Sequence, residues 1–360
     1  MTYSMNKTVQ ELLSEIFWTE APTSDESRPT DPLGLDAMRE ELSDKLVPCL
    51  TSRTSRHEDF FWALTFLRWS ASEATEKKRE ERFLHWERCL KIYWIKFRKN
   101  IKGFPGINQA RSQASRPPSL KFQKLLKVQR AQGMLGAHLG PLRQLGLAKR
   151  NELVLENDGI RLVEGVGNPP DLKENWESWK RGFDSAGRAF DVNFKIELRK
   201  RLHQRMPELY NALSALRWRA NMGWGQAAKH MGPRLEPYAN LAHVFCPWAD
   251  TIRSCFDEIL HYNPDVDFPP WLRGKIPTDL KRWDPLRKIA EKWKKGNLEN
   301  VLADLHKDVF FERGYSRSDL WISIEDGRLL RFPGRADYRP IAEGSDCRWS
   351  NAVALMRPFR

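Results

Sequence analysis

The sequence predicts a mainly α-helical fold, in which helical N- and C-terminal regions flank a small α+β domain. Most of the chain repeats apolar residues at the i, i+3, i+4 spacing of amphipathic helices, and glycine and proline clusters separate these stretches. Strand-like alternation is confined to residues 147–155 and 320–332. We therefore expect an N-terminal helical region over 1–104, a basic domain over 105–168, and a C-terminal helical region over 169–360 with a small hairpin near its end.

The N-terminal region contains four stretches with helical spacing. Pro48 ends the second, because proline cannot continue a helix. The third is apolar on nearly all sides, which predicts a buried helix. The fourth has an apolar inner face and an outer face that becomes purely basic after Arg88. The predicted helices are Thr8–Trp18, Leu35–Leu46, Ser55–Ser70 and Glu76–Asn100.

Positive charge is concentrated in residues 88–150, called the basic window below. The chain has a net charge of +13, although residues 1–50 carry −6. The basic window contains fifteen Lys or Arg and no Asp or Glu, where the average composition would place about eight acidic residues. Crowded like charges cost folding free energy, and a polyanion relieves that cost while releasing counterions. Contact with a polyanion is the favoured explanation; the alternative is neutralisation by acidic faces of this chain or of a partner.

The end of the basic window and the residues after it carry the pattern of the α+β domain. Gly146 predicts the C-terminal stop of a helix, and a short hairpin follows it. This order is typical of a recognition helix followed by a wing. The elements are a loop or short helix over 103–118, helices over Ser119–Gln129 and Gly133–Leu145, two short strands around Asn151, a turn over 157–159 and an apolar stretch over 160–163.

This stretch resembles the second half of a winged-helix domain, in its segments Leu142-Arg143-Gln144-Leu145-Gly146-Leu147, Leu153-Val154-Leu155 and Gly159-Ile160-Arg161-Leu162. Such domains mostly bind DNA, with the helix in the major groove and the wing along the backbone. Pro141 is expected to kink or restart the helix. The resemblance implies that the helix contributes His138, Arg143 and Gln144, and the wing Lys149, Arg150 and Asn151. The further cations expected on the nucleic acid are Lys96, Arg98, Lys99, Lys121, Lys124, Lys127 and Arg130.

The C-terminal region is helical and rich in aromatic residues. Pro247 is expected to interrupt one of its helices, and Asp326-Gly327 predicts the turn of a hairpin. The predicted helices are Leu172–Phe190, Phe194–Met206, Glu208–Asn221, Tyr238–His261, Leu286–Trp293, Leu298–Phe311 and Asn351–Met356, and the hairpin spans Leu320–Phe332.

A second resemblance is to accessory proteins of bacterial phage-defence islands. The first segments of those proteins are similar to Asp31-Pro32-Leu33-Gly34-Leu35, Leu46-Val47-Pro48 and Thr51-Ser52-Arg53-Thr54, followed by an aromatic-rich helix. Their last segments are similar to Tyr338 and Arg348-Trp349 followed by a helical tail. The resemblance implies a protein that acts beside an SMC-like or helicase ATPase and a nuclease. A Lamassu-type SMC complex is one such setting.

Sites of catalysis or metal binding are not indicated. The five cysteines form no CxxC pair, which argues against a disulfide framework or a structural zinc site and favours a cytoplasmic protein. No apolar run approaches the ~20 residues that cross a bilayer. If the protein is instead a metal-dependent nuclease, three groups of residues could hold its metal ion. They are Asp191 with Glu197 and Lys200, Asp257-Glu258, and Asp265 with Asp267. The 15 tryptophans are expected mostly in the core, and the alternative is stacking on bases.

The sequence thus predicts a non-catalytic, DNA-associated subunit of an antiphage complex, binding duplex phosphates through a basic winged-helix region and needing no cofactor. The expected partners are double-stranded DNA, an SMC-like or helicase ATPase and a nuclease, without a membrane. One alternative is a kleisin-like adaptor that joins an SMC-like ATPase to a nuclease. A metal-dependent nuclease and a transcription regulator are the others.

Overall fold

The computed structural model describes residues 31, 33–51, 53–98, 107–118, 133–173, 175–259, 276–293, 297–326, 328–331 and 346–358. The fold is mainly helical, as predicted, with one small antiparallel sheet in the described part. The helices are α1 (Leu35–Leu46), α2 (His57–Ser70), α3 (Glu76–Phe97), α4 (Ile107–Ala114), α5 (Met134–Gln144), α6 (Asn157–Leu162), α7 (Trp176–Gly187), α8 (Val192–Arg205), α9 (Pro207–Ala215), α10 (Gly223–Ala228), α11 (Glu236–Ile259), α12 (Asp284–Ala290), α13 (Leu298–Glu312) and α14 (Trp349–Met356). The strands are β1 (Ile322–Glu325) and β2 (Arg328–Arg331).

The chain divides into two compact units, each built from two stretches. The first unit comprises Met1–Leu42 and Pro237–Cys347, and the second comprises Ser43–Glu236 and Arg348–Arg360. The described part of the basic window lies in the second unit.

The core of the second unit forms around α2. Ten of its fourteen residues are buried, in agreement with the all-round apolar pattern of the sequence. Phe66 meets Phe83 of α3 edge to face at 5.6 Å, and Trp62 meets Phe183 of α7 at 5.8 Å. Such aromatic pairs add about 0.5–1.5 kcal/mol each beyond their area burial. The helices α3, α5, α6 and α8 also pack on α2, so α3 and α5, which carry described residues of the basic window, rest on an aromatic core.

The terminal helix α14 belongs to the second unit. Arg348 precedes it, and its Nη1 donates to Asp44 Oδ1 at 2.7 Å and to the Leu50 carbonyl at 2.5 Å. Asn351 Nδ2 donates to the Thr51 carbonyl at 2.9 Å, and Trp349 Nε1 donates to the Ala220 carbonyl at 2.9 Å. Residues 44–51 and 348–351 thus meet in the fold although about 300 residues separate them in the chain.

The first unit is organised around α11 and α13, with a buried charge cluster between its elements. Asp31 is 7% exposed and lies 3.2 Å from Arg313 Nη2 and 3.6 Å from Arg253 Nη2. Asp36 Oδ1 lies 2.7 Å from Arg253 Nη2. Arg39 donates to Asp36 at 3.3 Å and to Asp250 at 2.7 Å. The buried charges of Asp31, Arg39 and Arg253 are therefore each paired, in part with the more exposed carboxylates of Asp36 and Asp250.

The predicted hairpin is confirmed, and several other elements differ from expectation. β1 and β2 pair antiparallel, with Glu325 opposite Arg328, and Asp326 adopts a φ of +48° that the tight turn requires. Pro247 does not interrupt its helix, since α11 is continuous from 236 to 259. The expected turn and apolar stretch after residue 156 are a helix, α6. Another short helix, α10, begins at Gly223, between the predicted helices Glu208–Asn221 and Tyr238–His261. Eleven of the thirteen described tryptophans are buried, which supports the core explanation for them.

Candidate nucleic-acid interface

The helix α5, at the centre of the winged-helix resemblance, is continuous through Pro141. Proline has no N–H to donate to the carbonyl four residues earlier, which here is that of Ala137. Thr51 Oγ1 donates to this carbonyl at 3.2 Å in its place. The helix therefore does not restart at Pro141, and a side chain from the Thr51–Thr54 segment donates to the carbonyl that the proline cannot serve.

The C-terminal end of α5 follows the prediction for Gly146. This residue has a φ of +71°, which glycine adopts without a Cβ penalty. The Leu147 N–H donates to the Leu142 carbonyl at 2.8 Å, and the Gly146 N–H donates to the Arg143 carbonyl at 3.1 Å. These two bonds form a Schellman motif. Gly146 thus ends the helix and turns the chain sharply into the next segment.

The segment after α5 is shorter than the expected two-stranded wing. One antiparallel bridge joins Ala148 to Leu155, with hydrogen bonds of 2.9 Å (Lys149 N–H to the Val154 carbonyl) and 3.1 Å (Glu156 N–H to the Leu147 carbonyl). The helix α6 follows at once and packs against this bridge. A Cβ built on Gly159 would lie 2.1 Å from the Leu147 carbonyl oxygen, so glycine is needed for this close approach.

His138 lies in the core, not on the surface of α5. It is 3% exposed, its Nδ1 lies 3.1 Å from the Met134 carbonyl, and its ring meets Phe60 edge to face at 5.1 Å. Burial lowers the pKa of His138 to about 4. A buried and uncharged imidazole does not reach a base or a phosphate, which corrects the assignment of His138 to the interface.

Arg143 ties the helix to the hairpin, and its neighbours are exposed. The half-buried Arg143 donates from Nε to the Lys149 carbonyl at 3.0 Å. Gln144, Lys149 and Arg150 are exposed, and Lys149 lies 3.5 Å from Glu152. This end of α5 therefore presents a small group of cations on a rigid support.

Lys96 and Arg98 lie at the C-terminal end of α3. Lys96 is exposed, and its Nζ lies 3.4 Å from the Ala114 carbonyl and 5.1 Å from the ring centre of Trp176. Arg98 donates to Glu58 and stands over the Trp94 ring at 5.6 Å. Glu58 thus compensates the charge of Arg98, whereas no carboxylate partner of Lys96 is found among the described residues. Lys99, Lys121, Lys124, Lys127 and Arg130 lie outside the described residues.

The exposed cations of the basic window also include Arg111 and Arg116, which the site prediction left out. Both are exposed, on α4 and directly after it, and α4 packs on α3. No sequence motif singles out these two arginines. The only indication in the sequence is that they lie in the basic window, which lacks acidic residues. Lys91, in contrast, is buried, and its Nζ lies 2.5 Å from Glu87 Oε1, so its charge is not presented at the surface.

The described part of the basic window shows how far the chain neutralises its own cations. Lys91, Arg98 and Lys149 have carboxylate partners. No ion pair is found within the described ranges for five others: Lys96, Arg111, Arg116, Arg143 and Arg150. Among these residues, neutralisation by the chain itself therefore accounts for some of the cations and not for all of them, which leaves contact with a polyanion and neutralisation by a partner as the explanations for the rest.

These cations form two groups along α3. Leu153, in the hairpin, donates from its N–H to Glu76 Oε2 at 2.9 Å, which places the Arg143–Arg150 group near the start of α3. Lys96, Arg111 and Arg116 lie at its end. Twenty residues of α-helix separate Glu76 from Lys96, a rise of roughly 30 Å. This rise along α3 is close to one turn of B-DNA, ~34 Å.

The acidic groups considered for a nuclease do not assemble in the described residues. Asp191 caps α8 by accepting from the Phe194 N–H at 2.9 Å, and Glu197 forms an exposed ion pair with Lys200 at 3.7 Å. Within the described part, no three His, Cys, Asp or Glu side chains are grouped as metal ligands. The side chains of Asp257, Glu258, Asp265 and Asp267 lie outside the description.

None of the helices in the described ranges has both the length and the apolar character that crossing a membrane requires. Comparison with protein-family models, with curated proteins and with solved structures finds no match to this chain.

Proposed function

We propose that this protein is a non-catalytic, DNA-associated subunit of a bacterial antiphage defence complex, and that it binds the phosphates of duplex DNA through the basic window. The observation that carries the proposal is the set of five exposed or half-buried cations without a carboxylate partner in the described residues: Lys96, Arg111, Arg116, Arg143 and Arg150. A positive surface of this kind gains affinity by displacing the condensed counterions of DNA.

The contacts are proposed to be with the backbone and not with base edges. Specific readout needs donors and acceptors that project from a helix into the major groove. On α5, His138 is buried and Arg143 is held by the Lys149 carbonyl, so Gln144 is the remaining polar group at this end. In this proposal, α5 and the single-bridge hairpin act as a reduced winged helix whose cations follow one strand.

The assembly is proposed from the resemblance to phage-defence proteins. The segments that carry this resemblance have structural roles: Asp31 holds the buried charge cluster of the first unit, and Thr51 supports α5. A chain of this type would bring DNA to an SMC-like or helicase ATPase and a nuclease, which would perform the chemistry.

The salt dependence of DNA binding tests this function. Affinity for a labelled duplex, measured by fluorescence anisotropy, should fall roughly tenfold or more between about 50 and about 200 mM salt. A triple variant that reverses three charges, Arg143→Glu, Lys149→Glu and Arg150→Glu, should bind DNA more weakly at low salt. It should also lower the slope of log affinity against log salt by about 2–3, since each lost phosphate contact removes about 0.9.

A matched variant controls for the change in net charge. Lys281→Glu, Lys292→Glu and Lys307→Glu change the same number of exposed cations in the first unit, and binding should stay near that of the unmodified protein. Equal loss of affinity in both triple variants would mean that bulk charge, and not the basic window, holds the DNA. Unchanged binding by the first triple variant would remove the Arg143–Arg150 group from the interface.

An adaptor that contacts partner proteins is the second candidate function, and exposed apolar residues on α6 and α8 favour it. Ile160 on α6 and Val192 and Ile196 on α8 are 45%, 53% and 43% exposed. Ile196 lines an open cavity of about 560 Å³ between these helices. Val192 and Ile196 are one turn apart on α8, so they would present an apolar strip to a partner.

Co-purification with the products of neighbouring genes separates the two functions. An adaptor should keep its partners after nuclease treatment and should lose them when Val192 and Ile196 are replaced by Asp. A DNA-bound subunit should release its partners when the DNA is digested, and the same two substitutions should leave DNA affinity unchanged.

A further inference from the structure

Two buried cysteines of the first unit lie side by side although 101 residues separate them in the chain. Cys246 lies on α11 and is 7% exposed, and Cys347 is 2% exposed. Their Sγ atoms are 2.7 Å apart, and no disulfide joins them in this structure. A disulfide bond holds its sulfurs about 2.05 Å apart, so a small closure of the pair is enough for a covalent bond.

A buried cation lies beside this pair. Arg39 donates from Nη2 to Asp250 Oδ1 at 2.7 Å, one turn along α11 from Cys246. Burial lowers the pKa of Arg39, but Cys246, Asp250, Cys347 and Asp36 together raise it further, so its pKa stands above the usual value.

Other cysteines of the chain are in a different environment. Burial raises the pKa of Cys49 to about 11, and burial also raises the pKa of Cys89 far above its usual value. Both remain protonated near neutral pH and are expected to be inert. Cys255 is buried on the same helix as Cys246 and serves as a matched control.

We propose that Cys246 and Cys347 form a reversible redox site, oxidised to a disulfide by a small peroxide and reduced by a small thiol. This inference does not depend on DNA binding. The disulfide would fix residue 347, where the chain leaves the first unit, to the long helix α11.

The chemistry balances with one hydrogen peroxide. The Cys246 thiolate attacks one peroxide oxygen, the O–O bond breaks, and the departing hydroxide takes the proton released by the thiol to become water. The Cys347 sulfur then attacks the sulfenic sulfur of Cys246, the S–O bond breaks, and the hydroxide leaves with the Cys347 proton as a second water. Two thiols lose two electrons, and the peroxide is reduced to two waters.

Mass spectrometry after peroxide treatment tests the proposal. The reduced protein is treated with hydrogen peroxide, unfolded, alkylated and digested. A peptide pair crosslinked through Cys246 and Cys347 is expected, together with a fall in alkylated cysteines from five to three. The crosslink should disappear on treatment with dithiothreitol, and oxidation should raise the calorimetric midpoint of the first unit by roughly 5–10 °C.

Variants identify the reacting pair. Cys255→Ser should keep the crosslink and the thermal shift, whereas Cys246→Ser should lose both. Five alkylated cysteines after treatment, or a crosslink through Cys255, would overturn the proposal. The measurement on the unmodified protein decides the matter even where a serine variant does not fold.

Discussion

Replacing Glu87 by alanine should lower the free energy of unfolding of the second unit by about 3–5 kcal/mol. Glu87 is fully buried, and its Oε1 accepts from Lys91 Nζ at 2.5 Å and from the Met134 N–H, at the start of α5, at 2.8 Å. Alanine leaves the buried Lys91 ammonium without its carboxylate and an N–H at the first turn of α5 without its acceptor. Urea unfolding followed by tryptophan fluorescence measures the loss.

Two further variants show which part of this effect comes from charge. Glu87→Gln keeps an acceptor for the Met134 N–H but removes the charge opposite Lys91, so its destabilisation should be intermediate. Glu87→Met combined with Lys91→Met removes both charges and should recover much of the stability, because an apolar pair can replace a buried ion pair. Glu81 is exposed on the same helix, and Glu81→Ala should stay within about 0.5 kcal/mol of the unmodified protein. Equal effects at Glu87 and Glu81 would contradict the role assigned to Glu87.

The second large effect is expected at Asp31, where alanine should destabilise the first unit by about 3–5 kcal/mol. The Asp31 carboxylate accepts from the Ala37 N–H at 3.0 Å and lies 3.2 Å from Arg313 and 3.6 Å from Arg253. Arg253 is 5% exposed, so the loss of this carboxylate leaves a buried guanidinium dependent on Asp36 alone among its ion-pair partners in the described residues. Differential scanning calorimetry measures the change.

The matched controls for Asp31 lie in the same unit. Asp304 is exposed on α13, and Asp304→Ala should have little effect on the midpoint. Asp31→Asn keeps an acceptor for the Ala37 N–H and should fall between the unmodified protein and Asp31→Ala. A midpoint for Asp31→Ala that equals that of Asp304→Ala would show that the cluster does not depend on this carboxylate.

Local sequence patterns predicted the elements whose causes are local. The all-round apolar pattern of α2, the glycine stop at Gly146 and the Asp326-Gly327 turn each depend on residues a few positions apart, and the first two and the paired strands around the turn are confirmed. The composition of the basic window also led to Arg111 and Arg116 once the structure showed them exposed.

Other features depend on distant residues and were missed for that reason. Within the continuous helix α5, the Thr51 hydroxyl donates to the Ala137 carbonyl, and the buried His138 packs against Phe60. Gly159 of α6 approaches the Leu147 carbonyl too closely for a side chain. Cysteine spacing gives no indication that Cys246 and Cys347 meet, because 101 residues of chain lie between them.

The return of α14 to the second unit has a consequence for synthesis on the ribosome. The hydrogen bonds of residues 44–51 with Arg348 and Asn351 form only after those two residues are synthesised, about 300 residues later. Until then, the nascent chain keeps part of its apolar surface uncovered while the second stretch of the first unit, Pro237–Cys347, is translated. A chaperone that shields this surface during translation should therefore raise the yield of correctly folded protein.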